Sequence, residues 1–253
     1  MDKFYSLVIK ADGTNCELET SFILKNVGFK NEILTVGEII QDPKILEKFS
    51  FIVFPGGFSY GDYTGSGRIV SSIIKHHLFE NFQKHIKDGK LILGICNGFQ
   101  ILVKSGLLPN TSGNWQQEVS LIFNDSFHYE DRWVKLLVNK NTIFTKNLPD
   151  YIYLPVAHGE GKFIHSFDKE KIEKLGAFFY VDEKGKKSMD YPQNPNGSFD
   201  SIAGIVDDTG KILGMMPHPE RFRDEKQFYF DEKNDPYGII IFENAYRYIK
   251  EEL

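Results

Sequence analysis

The stretch Leu91–Leu102, LILGICNGFQIL, decides the fold, because the chain changes there from a strand pattern to a helix pattern. The apolar run Leu91–Ile95 predicts a buried strand, and the pattern that follows predicts a helix over about Phe99–Lys104. Cys96 lies at the junction with a glycine two positions away on either side. A sharp strand-to-helix turn with small neighbours is the arrangement of a nucleophile elbow. The stretch therefore predicts an α/β protein with a nucleophile at Cys96, and a cysteine that merely packs in the core is the alternative.

The position of Cys96 also suits its chemistry. A thiol at a helix N-terminus lies near the positive end of the helix dipole, which lowers its pKa from a free value of about 8.5. The same turn directs the backbone N–H of Asn97 toward an oxyanion formed on a substrate. Cys16 is the second cysteine, in a predicted loop that enters a helix. No base accompanies it in the sequence, so we interpret Cys16 as structural.

Composition restricts the class of protein. The chain has 253 residues, 41% of them hydrophobic and 26% charged, with a net charge of −5 and no basic stripe of the kind that binds nucleic acid. No apolar run approaches the roughly 18 residues of a membrane helix, and the start of the chain is too short and β-like for a signal peptide. Two cysteines indicate a reducing compartment rather than a disulfide framework. A cytoplasmic enzyme is therefore expected.

The first half of the chain alternates strand and helix patterns, which predicts a parallel sheet. The strands are expected at Phe4–Lys10, Glu32–Val36, Phe51–Phe54 and Leu91–Ile95. One long helix is predicted to begin near Arg68 and to end at Asp88-Gly89, with a buried stripe at Val70, Ile74, Leu78, Phe82 and Ile86. No partner motif accompanies His76, His77 and His85, so we place these histidines at the surface or its boundary.

After Gly113 the apolar runs are separated by turns, which predicts an antiparallel section added to the parallel one. Its strands are expected at Glu118–Phe123, Trp133–Val138, Tyr151–Val156, Phe178–Val181, Ile202–Val206 and Ile212–Met216. A last helix, with Ile239, Phe242, Tyr246 and Ile249 on one face, is predicted to follow a cap at Asp235-Pro236. Without an internal repeat or a low-complexity linker, residues 1–253 are expected to form a single domain.

A cysteine nucleophile needs a base, and the base needs an orienting group. The best candidates lie in MPHPER at Met216–Arg221, where His218 stands between two prolines and Glu220 follows two positions later. The prolines fix the direction of the imidazole, and the carboxylate can hold its tautomer through the far ring nitrogen. A lone His-x-Glu is usually a surface pair, but with the elbow it forms a Cys-His-Glu set.

Gly57–Gly61, GFSYG, is a rival elbow, because it fits the G-x-S-x-G pattern of serine hydrolases and also follows a strand. That pattern requires a helix to begin directly after Ser59, but the next residues predict more loop. The preceding glycines indicate a bare turn that can bring a backbone N–H close to a substrate. We therefore assign Gly57 as the second oxyanion donor and do not assign Ser59 as the nucleophile.

Seven segments, in this order along nearly the whole chain, carry a family resemblance. They are GTNCELE (13–19), FPGGFSYGDY (54–63), GICNGFQIL (94–102), AHGEGKF (157–163), NPNGS (194–198), IAGI (202–205) and GMMPHPER (214–221). Together they resemble the class I, or triad, glutamine amidotransferases, and most closely their separate glutaminase subunits of purine biosynthesis. The resemblance implies an α/β, flavodoxin-like fold with a mostly parallel central sheet, flanking helices and an added antiparallel section.

The resemblance also implies roles for residues. Cys96 is implied as nucleophile, His218 as general base and then acid, and Glu220 as the carboxylate that orients it, with Gly57 and Asn97 as backbone oxyanion donors. Gln100 matches a position that contacts the bound glutamine. His158 flanks the same pocket and is carried over as substrate-binding, with a buried polar role as the equal alternative. No metal ligand is assigned.

The same resemblance implies partners. Ammonia released to water would mostly protonate, so it must pass to an ATP-dependent synthetase subunit, and a third small subunit bridges the two. The chain has no G-x-x-x-x-G-K-[ST] loop. It is therefore expected to bind no cofactor, with ATP and Mg²⁺ used by the synthetase partner. The sequence departs from the family at Thr64–Arg68 and in a longer segment, Arg223–Asp235; both departures leave partner contacts and local loop shape open.

Two other classes of protein stay open on the sequence. One is a stand-alone cysteine hydrolase or stress protein on the same type of sheet, which commonly has histidine directly after the cysteine where this chain has Asn97. The other is a silent binding subunit, which is expected to lack part of the triad, whereas all three residues are present here.

Overall fold

A computed structural model describes residues 4–63, 65–228 and 234–253. Its centre is a nine-stranded sheet in the order β2-β1-β3-β4-β11-β10-β9-β6-β7, accompanied by a two-stranded ribbon of β5 and β8. The two sequence departures named above, Thr64–Arg68 and Arg223–Asp235, lie partly outside the described residues, at Thr64 and at 229–233.

The strands and helices are short and alternate mainly in the first half of the chain. The strands are β1 (Tyr5–Lys10), β2 (Lys30–Thr35), β3 (Phe51–Phe54), β4 (Leu91–Ile95), β5 (Ser120–Phe123), β6 (Glu130–Val138), β7 (Tyr151–His158), β8 (Glu160–Ile164), β9 (Gly176–Tyr180), β10 (Ile202–Val206) and β11 (Ile212–Met215). The helices are α1 (Glu17–Val27), α2 (Val36–Gln41), α3 (Arg68–Ile73), α4 (Phe79–Lys87), α5 (Asn97–Ser105), α6 (Lys169–Leu175) and α7 (Gly238–Glu252).

The parallel half of the sheet positions the site. Strands β2, β1, β3, β4 and β11 run parallel, and β4 lies between β3 and β11. Every residue of β3 and β4 is buried, as expected for strands covered on both faces. Because Met215 pairs with Ile95, the residues that follow β11 emerge beside those that follow β4. Two segments more than a hundred residues apart therefore meet at one edge of the sheet.

The predicted antiparallel section continues the same sheet. Strands β10, β9, β6 and β7 follow β11, each antiparallel to its neighbour, so the sheet holds five parallel and four antiparallel strands. Strand β8 was not predicted, because EGKFI has no continuous apolar run. Only Gly161 and Phe163 of this strand are buried, and it pairs with β5 outside the main sheet.

The long helix predicted from Arg68 is interrupted. Helices α3 and α4 are joined by a π-helical turn at Ile74–Leu78. A stripe at every fourth residue drifts around a regular helix of 3.6 residues per turn, and the wider turn absorbs part of that drift. After the π turn, the predicted stripe residue Ile86 is only half-buried, and His85 is buried instead.

Placing His85 at the surface was therefore wrong, whereas His76 and His77 are exposed as predicted. Burial lowers the pKa of His85 to about 3, and its Nε2 lies 3.2 Å from the carbonyl oxygen of Leu91. A neutral imidazole can donate its N–H to that carbonyl, so His85 ties α4 to the start of β4.

The predicted cap of the last helix was also wrong. Helix α7 begins at Gly238, with Tyr237 as its N-cap. The carboxylate of Asp235 accepts a hydrogen bond from the hydroxyl of Tyr237 at 3.2 Å, so it is engaged in a turn before the helix. No helix among the described residues is long and apolar enough to cross a membrane.

Candidate active site

Cys96 occupies a strained turn between β4 and α5. Its backbone has φ 51° and ψ −106°, a left-handed region that costs a non-glycine residue about 1–3 kcal/mol and is concentrated at functional sites. The turn is held on both sides: Cys96 N donates to Met215 O at 2.8 Å, and Gln100 N donates to Cys96 O at 3.1 Å. Helix α5 begins at Asn97, two residues earlier than predicted, so the thiol lies directly at the helix N-terminus.

The two glycines beside Cys96 are required by close approach of the backbone. A Cβ on Gly94 would lie 2.7 Å from the carbonyl oxygen of Gly98, and one on Gly98 would lie 1.9 Å from the carbonyl oxygen of Phe54. Both contacts are with main chain, which cannot rotate away. The elbow therefore depends on these glycines for packing of α5 against β3 and β4.

Gly98→Ala is expected to destabilise the fold by about 1–3 kcal/mol or more, because the added methyl group overlaps the Phe54 carbonyl. Gly37→Ala is the matched control, since a Cβ there finds its nearest neighbour, Thr35 Oγ1, at 3.9 Å within helix α2. That control is expected to be neutral or stabilising by up to about 1 kcal/mol. Urea unfolding of both variants checks this, and equal midpoints would contradict the packing argument.

His218 and Glu220 form a buried pair at the end of β11. The Nδ1 of His218 lies 2.6 Å from Oε1 of Glu220, and the backbone N–H of His218 donates to Pro155 O at 2.8 Å. Both side chains are 1% exposed or less. Nδ1 carries the hydrogen that points to the carboxylate. The other ring nitrogen, Nε2, is buried and has no hydrogen-bond partner in the described part of the chain.

Opposing effects act on the pKa of His218. Burial lowers it, but the charge of Glu220 and the interaction with Cys96 raise it by more, so that the pKa of His218 lies well above its usual value. The imidazolium form is therefore favoured beside Cys96. A cysteine, a histidine and a carboxylate that interact in this order have the parts of a nucleophile, a base and an orienting group.

Cys16 lies closer to this pair than the sequence indicated. Its sulfur, a ring nitrogen of His218 and a carboxylate oxygen of Glu220 lie within 4.8 Å of one another. Cys16 is fully buried at the turn before α1, and burial raises the pKa of its thiol. Nη2 of Arg221 donates to the sulfur at 3.0 Å.

These three groups are the candidate metal ligands among the described residues. The guanidinium of Arg221 occupies one side of the sulfur, and Oε1 of Glu220 is already bound by His218. A cation beside the thiol and a carboxylate engaged by the imidazole suit a hydrogen-bonded cluster better than an ion site. Cys16 therefore lies against the base, so the expectation that no base accompanies it was wrong, and its structural role stays a prediction.

Ser59, the rival nucleophile, does not lie in an elbow. A single 3₁₀ turn, Ser59–Asp62, follows it, with Tyr60 and Gly61 in left-handed conformations instead of a helix. Its hydroxyl is buried and finds no hydrogen-bond partner among the described residues. Within residues 4–63, 65–228 and 234–253, no base therefore activates Ser59.

Gly57 lies in the turn after β3, next to the catalytic candidates. It pairs with Thr14 through an antiparallel bridge and has φ +143°, and a Cβ there would lie 2.8 Å from Thr14 Cα. The preceding Gly56 would place a Cβ 2.7 Å from Cε1 of His218. The bare backbone of this turn thus runs directly beside the imidazole.

Gln100, one turn after Cys96 in α5, and His158, at the end of β7, are both buried. The side-chain amide of Gln100 donates to the carbonyl oxygen of Glu160 at 2.5 Å. His158 is 2% exposed, with Nδ1 3.1 Å from Asn124 Oδ1 and Nε2 3.5 Å from Asn196 Nδ2. Burial and the nearby charge of His218 lower the pKa of His158 to about 3. Since both ring nitrogens are engaged, the geometry favours the buried polar role for His158.

Tyr129 is a neighbour of the site that the sequence reasoning missed. Burial and the nearby charge of the Cys96 thiolate raise the pKa of Tyr129, and its ring lies 6.2 Å from that of Phe58. Both rings are nevertheless more than 40% exposed. The segment around Tyr129 carries no motif in the sequence, so only the fold brings Tyr129 next to Phe58.

Comparison with known proteins identifies the class that this fold and site define. Residues 3–249 match the family model of the CobB/CobQ-like glutamine amidotransferase domain. The chain belongs to this family of glutamine amidotransferases, which confirms the resemblance found in the sequence.

Individual relatives indicate which kind of glutamine amidotransferase the chain is similar to. The chain is 40% identical to phosphoribosylformylglycinamidine synthase subunit PurQ of Dehalococcoides mccartyi, over 99% of this chain and 100% of the relative. It is 42% identical to the PurQ subunit of Methanococcus maripaludis, over 85% of this chain and 81% of the relative. Among solved structures, a chain of PurLQS from Thermotoga maritima superposes with a TM-score of 0.76 at 30% identity, covering 98% of this chain and 99% of that one.

Proposed function

We propose that this chain is the glutaminase subunit of a phosphoribosylformylglycinamidine synthase. It hydrolyses glutamine to glutamate and ammonia for a synthetase subunit that converts formylglycinamide ribonucleotide to formylglycinamidine ribonucleotide in purine biosynthesis. The observation that carries the proposal is the 2.6 Å His218–Glu220 pair, in the turn that follows β11, the strand next to β4 and the Cys96 elbow. Similarity to PurQ subunits over nearly their whole length supports the choice of synthase.

The reaction proceeds through a covalent intermediate. The Cys96 thiolate attacks the side-chain amide carbon of glutamine, and the backbone N–H groups of Gly57 and Asn97 bind the oxyanion. His218 gives its Nε2 proton to the departing ammonia, while Glu220 holds the ring through Nδ1. Water, deprotonated by His218, then hydrolyses the glutamyl thioester and releases glutamate.

The family resemblance assigns the contact with bound glutamine to Gln100, which stands one helical turn after the nucleophile and whose side chain is oriented by the Glu160 carbonyl. His158, held by Asn124 and Asn196, has the buried polar role near the same site.

The chain acts as one cytoplasmic glutaminase domain, residues 1–253, and binds no cofactor itself. The synthetase partner uses ATP and Mg²⁺, and a small third subunit bridges the two. Exposed aromatic residues beside the site suit such a partner: Phe58, Tyr63, Phe127 and Tyr129 are 43–92% exposed. Exposed apolar patches of this kind mark protein interaction sites, and a docked partner keeps ammonia out of water.

The function is tested with glutamine labelled with ¹⁵N in its side-chain amide. The chain, mixed with its synthetase partner, ATP and formylglycinamide ribonucleotide, is expected to release glutamate and to place the label in the amidine product. Glutamate release without transfer of the label would indicate the alternative function, a stand-alone cysteine hydrolase. Failure to release glutamate at all would contradict the proposed function.

The isolated chain is expected to hydrolyse glutamine more slowly than the loaded complex. The Pro55–Arg68 loop carries the Gly57 donor, and glycines with positive φ at Gly57, Gly61, Gly65 and Gly67 allow it to move. Partner contact would hold that donor inward, and one oxyanion donor is worth about 10²–10³ in kcat. Steady-state rates with and without the loaded partner check this. Equal rates would contradict the idea that partner contact positions the Gly57 donor, but they would not contradict the roles of Cys96, His218 and Glu220.

A further inference from the structure

The side chain of Asn97 makes more contacts than the proposed role of its backbone N–H requires. Its Oδ1 accepts the backbone N–H of Ser59 at 3.3 Å, and its Nδ2 donates to Gln100 Oε1 at 2.9 Å and to Asp62 Oδ1 at 3.4 Å. Asn97 is 2% exposed. The oxygen and both amide hydrogens of this buried side chain are therefore used.

The loop that Asn97 contacts is a strained one. Tyr60, Gly61 and Asp62 all have positive φ, at 54°, 68° and 54°. Two of them are not glycine, and such residues cost about 1–3 kcal/mol each unless the surroundings hold them. The start of the loop is held by main chain, since Phe58 N donates to Gly13 O at 3.0 Å. Tyr60 N also donates to Asp12 O at 2.6 Å, and Asp62 is bonded by Ser66 and the backbone of Gly67. The amide of Asn97 is the group that ties Ser59 and Asp62 to helix α5.

The other contact of Asn97 leads away from the loop. Oε1 of Gln100 accepts a hydrogen bond from Nδ2 of Asn97, and Nε2 of Gln100 donates one to the carbonyl oxygen of Glu160. One chain of hydrogen bonds thus runs from the loop that carries Gly57, through Asn97 and Gln100 in the first turn of α5, to Glu160 at the start of β8. Cys96 lies beside the middle of this chain.

We propose that Asn97 is a positioning residue whose side chain holds the turn Pro55–Asp62 and Gln100 in fixed positions around Cys96. It acts through Gly57 and Gln100 and does not touch the reacting atoms. This inference rests on the proposed glutaminase function. It separates two roles of one residue: the backbone N–H binds the oxyanion, and the side chain keeps the second donor in place.

Asn97→Ala isolates the side chain, because alanine keeps the backbone N–H. Alanine also favours the helix more than asparagine does, so loss of α5 does not explain a defect. In the isolated wild type, the Asn97 amide keeps the Gly57 donor inward for part of the time, and the partner completes this. We therefore expect kcat for glutamine in the chain without its partner to fall about 10–100-fold in Asn97→Ala, bounded by the 10²–10³ for a lost oxyanion donor. The loaded partner is expected to restore more activity to Asn97→Ala than to the wild type, because partner contact replaces the missing restraint.

Two controls make the result specific. Asn244→Ala removes another buried asparagine with two side-chain hydrogen bonds, to Phe144 O and from Asn147, in the remote helix α7. It is expected to lower stability but to keep kcat. Alkylation of Cys96 by iodoacetamide needs no oxyanion donor, so its rate in Asn97→Ala is expected to equal that of the wild type.

Asn97→Asp serves as the second variant if Asn97→Ala does not fold. It keeps the acceptor for Ser59 N but places a carboxylate 3.4 Å from Asp62, so kcat is expected to fall and to recover partly when Asp62→Asn is added. Three results would overturn the proposal. They are a kcat in Asn97→Ala equal to that of Asn244→Ala, a loss of iodoacetamide reactivity in parallel with kcat, and no recovery of kcat when Asp62→Asn is added to Asn97→Asp. A wild type that hydrolyses no glutamine would instead contradict the proposed function.

Discussion

Cys96→Ala is expected to abolish glutamine-dependent amidation, with a loss on the order of 10⁶ in kcat, the size known for the nucleophile of a triad. The reason is that the thioester cannot form without the sulfur. Amidation from added ammonium salts by the reconstituted complex is expected to continue, because the synthetase then receives its ammonia directly. Glutamate release and amidine formation, measured on the same preparation, check both halves of this prediction.

Ser59→Ala is the control for the rival site. Its hydroxyl has no partner in the described chain and no base beside it, so glutamine hydrolysis is expected to persist. Retained activity in Cys96→Ala, or its loss in Ser59→Ala, would transfer the nucleophile to the GFSYG segment.

His218→Ala is expected to cost nearly as much as loss of the nucleophile, again on the order of 10⁶ in kcat, because members of a triad act as a unit. Glu220→Gln is expected to cost less, about 10⁴, since the amide keeps the shape but holds the wrong tautomer. Measured kcat values for both variants test the order, and a fully active His218→Ala enzyme would remove the histidine from the mechanism.

Glu220→Gln is also expected to change the pH dependence. The carboxylate charge holds the pKa of His218 above its usual value, so its removal lowers that pKa. The imidazolium must protonate the departing ammonia, and it is lost as pH rises through its pKa. The alkaline limb of kcat is therefore expected to move to lower pH in the variant. An unchanged or higher limb would contradict the coupling.

The sequence predicted the parts of the site that depend on local spacing. The glycines on either side of Cys96 and the prolines around His218 specify turns, and both turns are in the structure where they were expected. Strands β3, β4 and β10 have the predicted bounds, because each is a short, fully buried apolar run.

What the sequence did not predict depends on the order of strands. Cys16 lies beside His218 because β1 and β11 belong to one sheet, with β3 and β4 between them, and no local pattern encodes that order. The same holds for Tyr129, which comes from the turn before β6, and for the contact of Asn97 with Ser59. Strand β8 was missed because its residues depart from regular apolar spacing. The π turn was missed because the apolar stripe continues through it at every fourth residue.

Labelling with an electrophilic ketone analogue of glutamine tests the central claim most directly, namely that Cys96 is the residue that attacks glutamine. The analogue fills the glutamine site and alkylates whichever nucleophile lies at its side-chain end, and peptide mass spectrometry locates the adduct. The predicted result is one adduct, on the peptide that carries Cys96, with protection by added glutamine. An adduct on Cys16 or Ser59 with Cys96 unmodified would contradict the account.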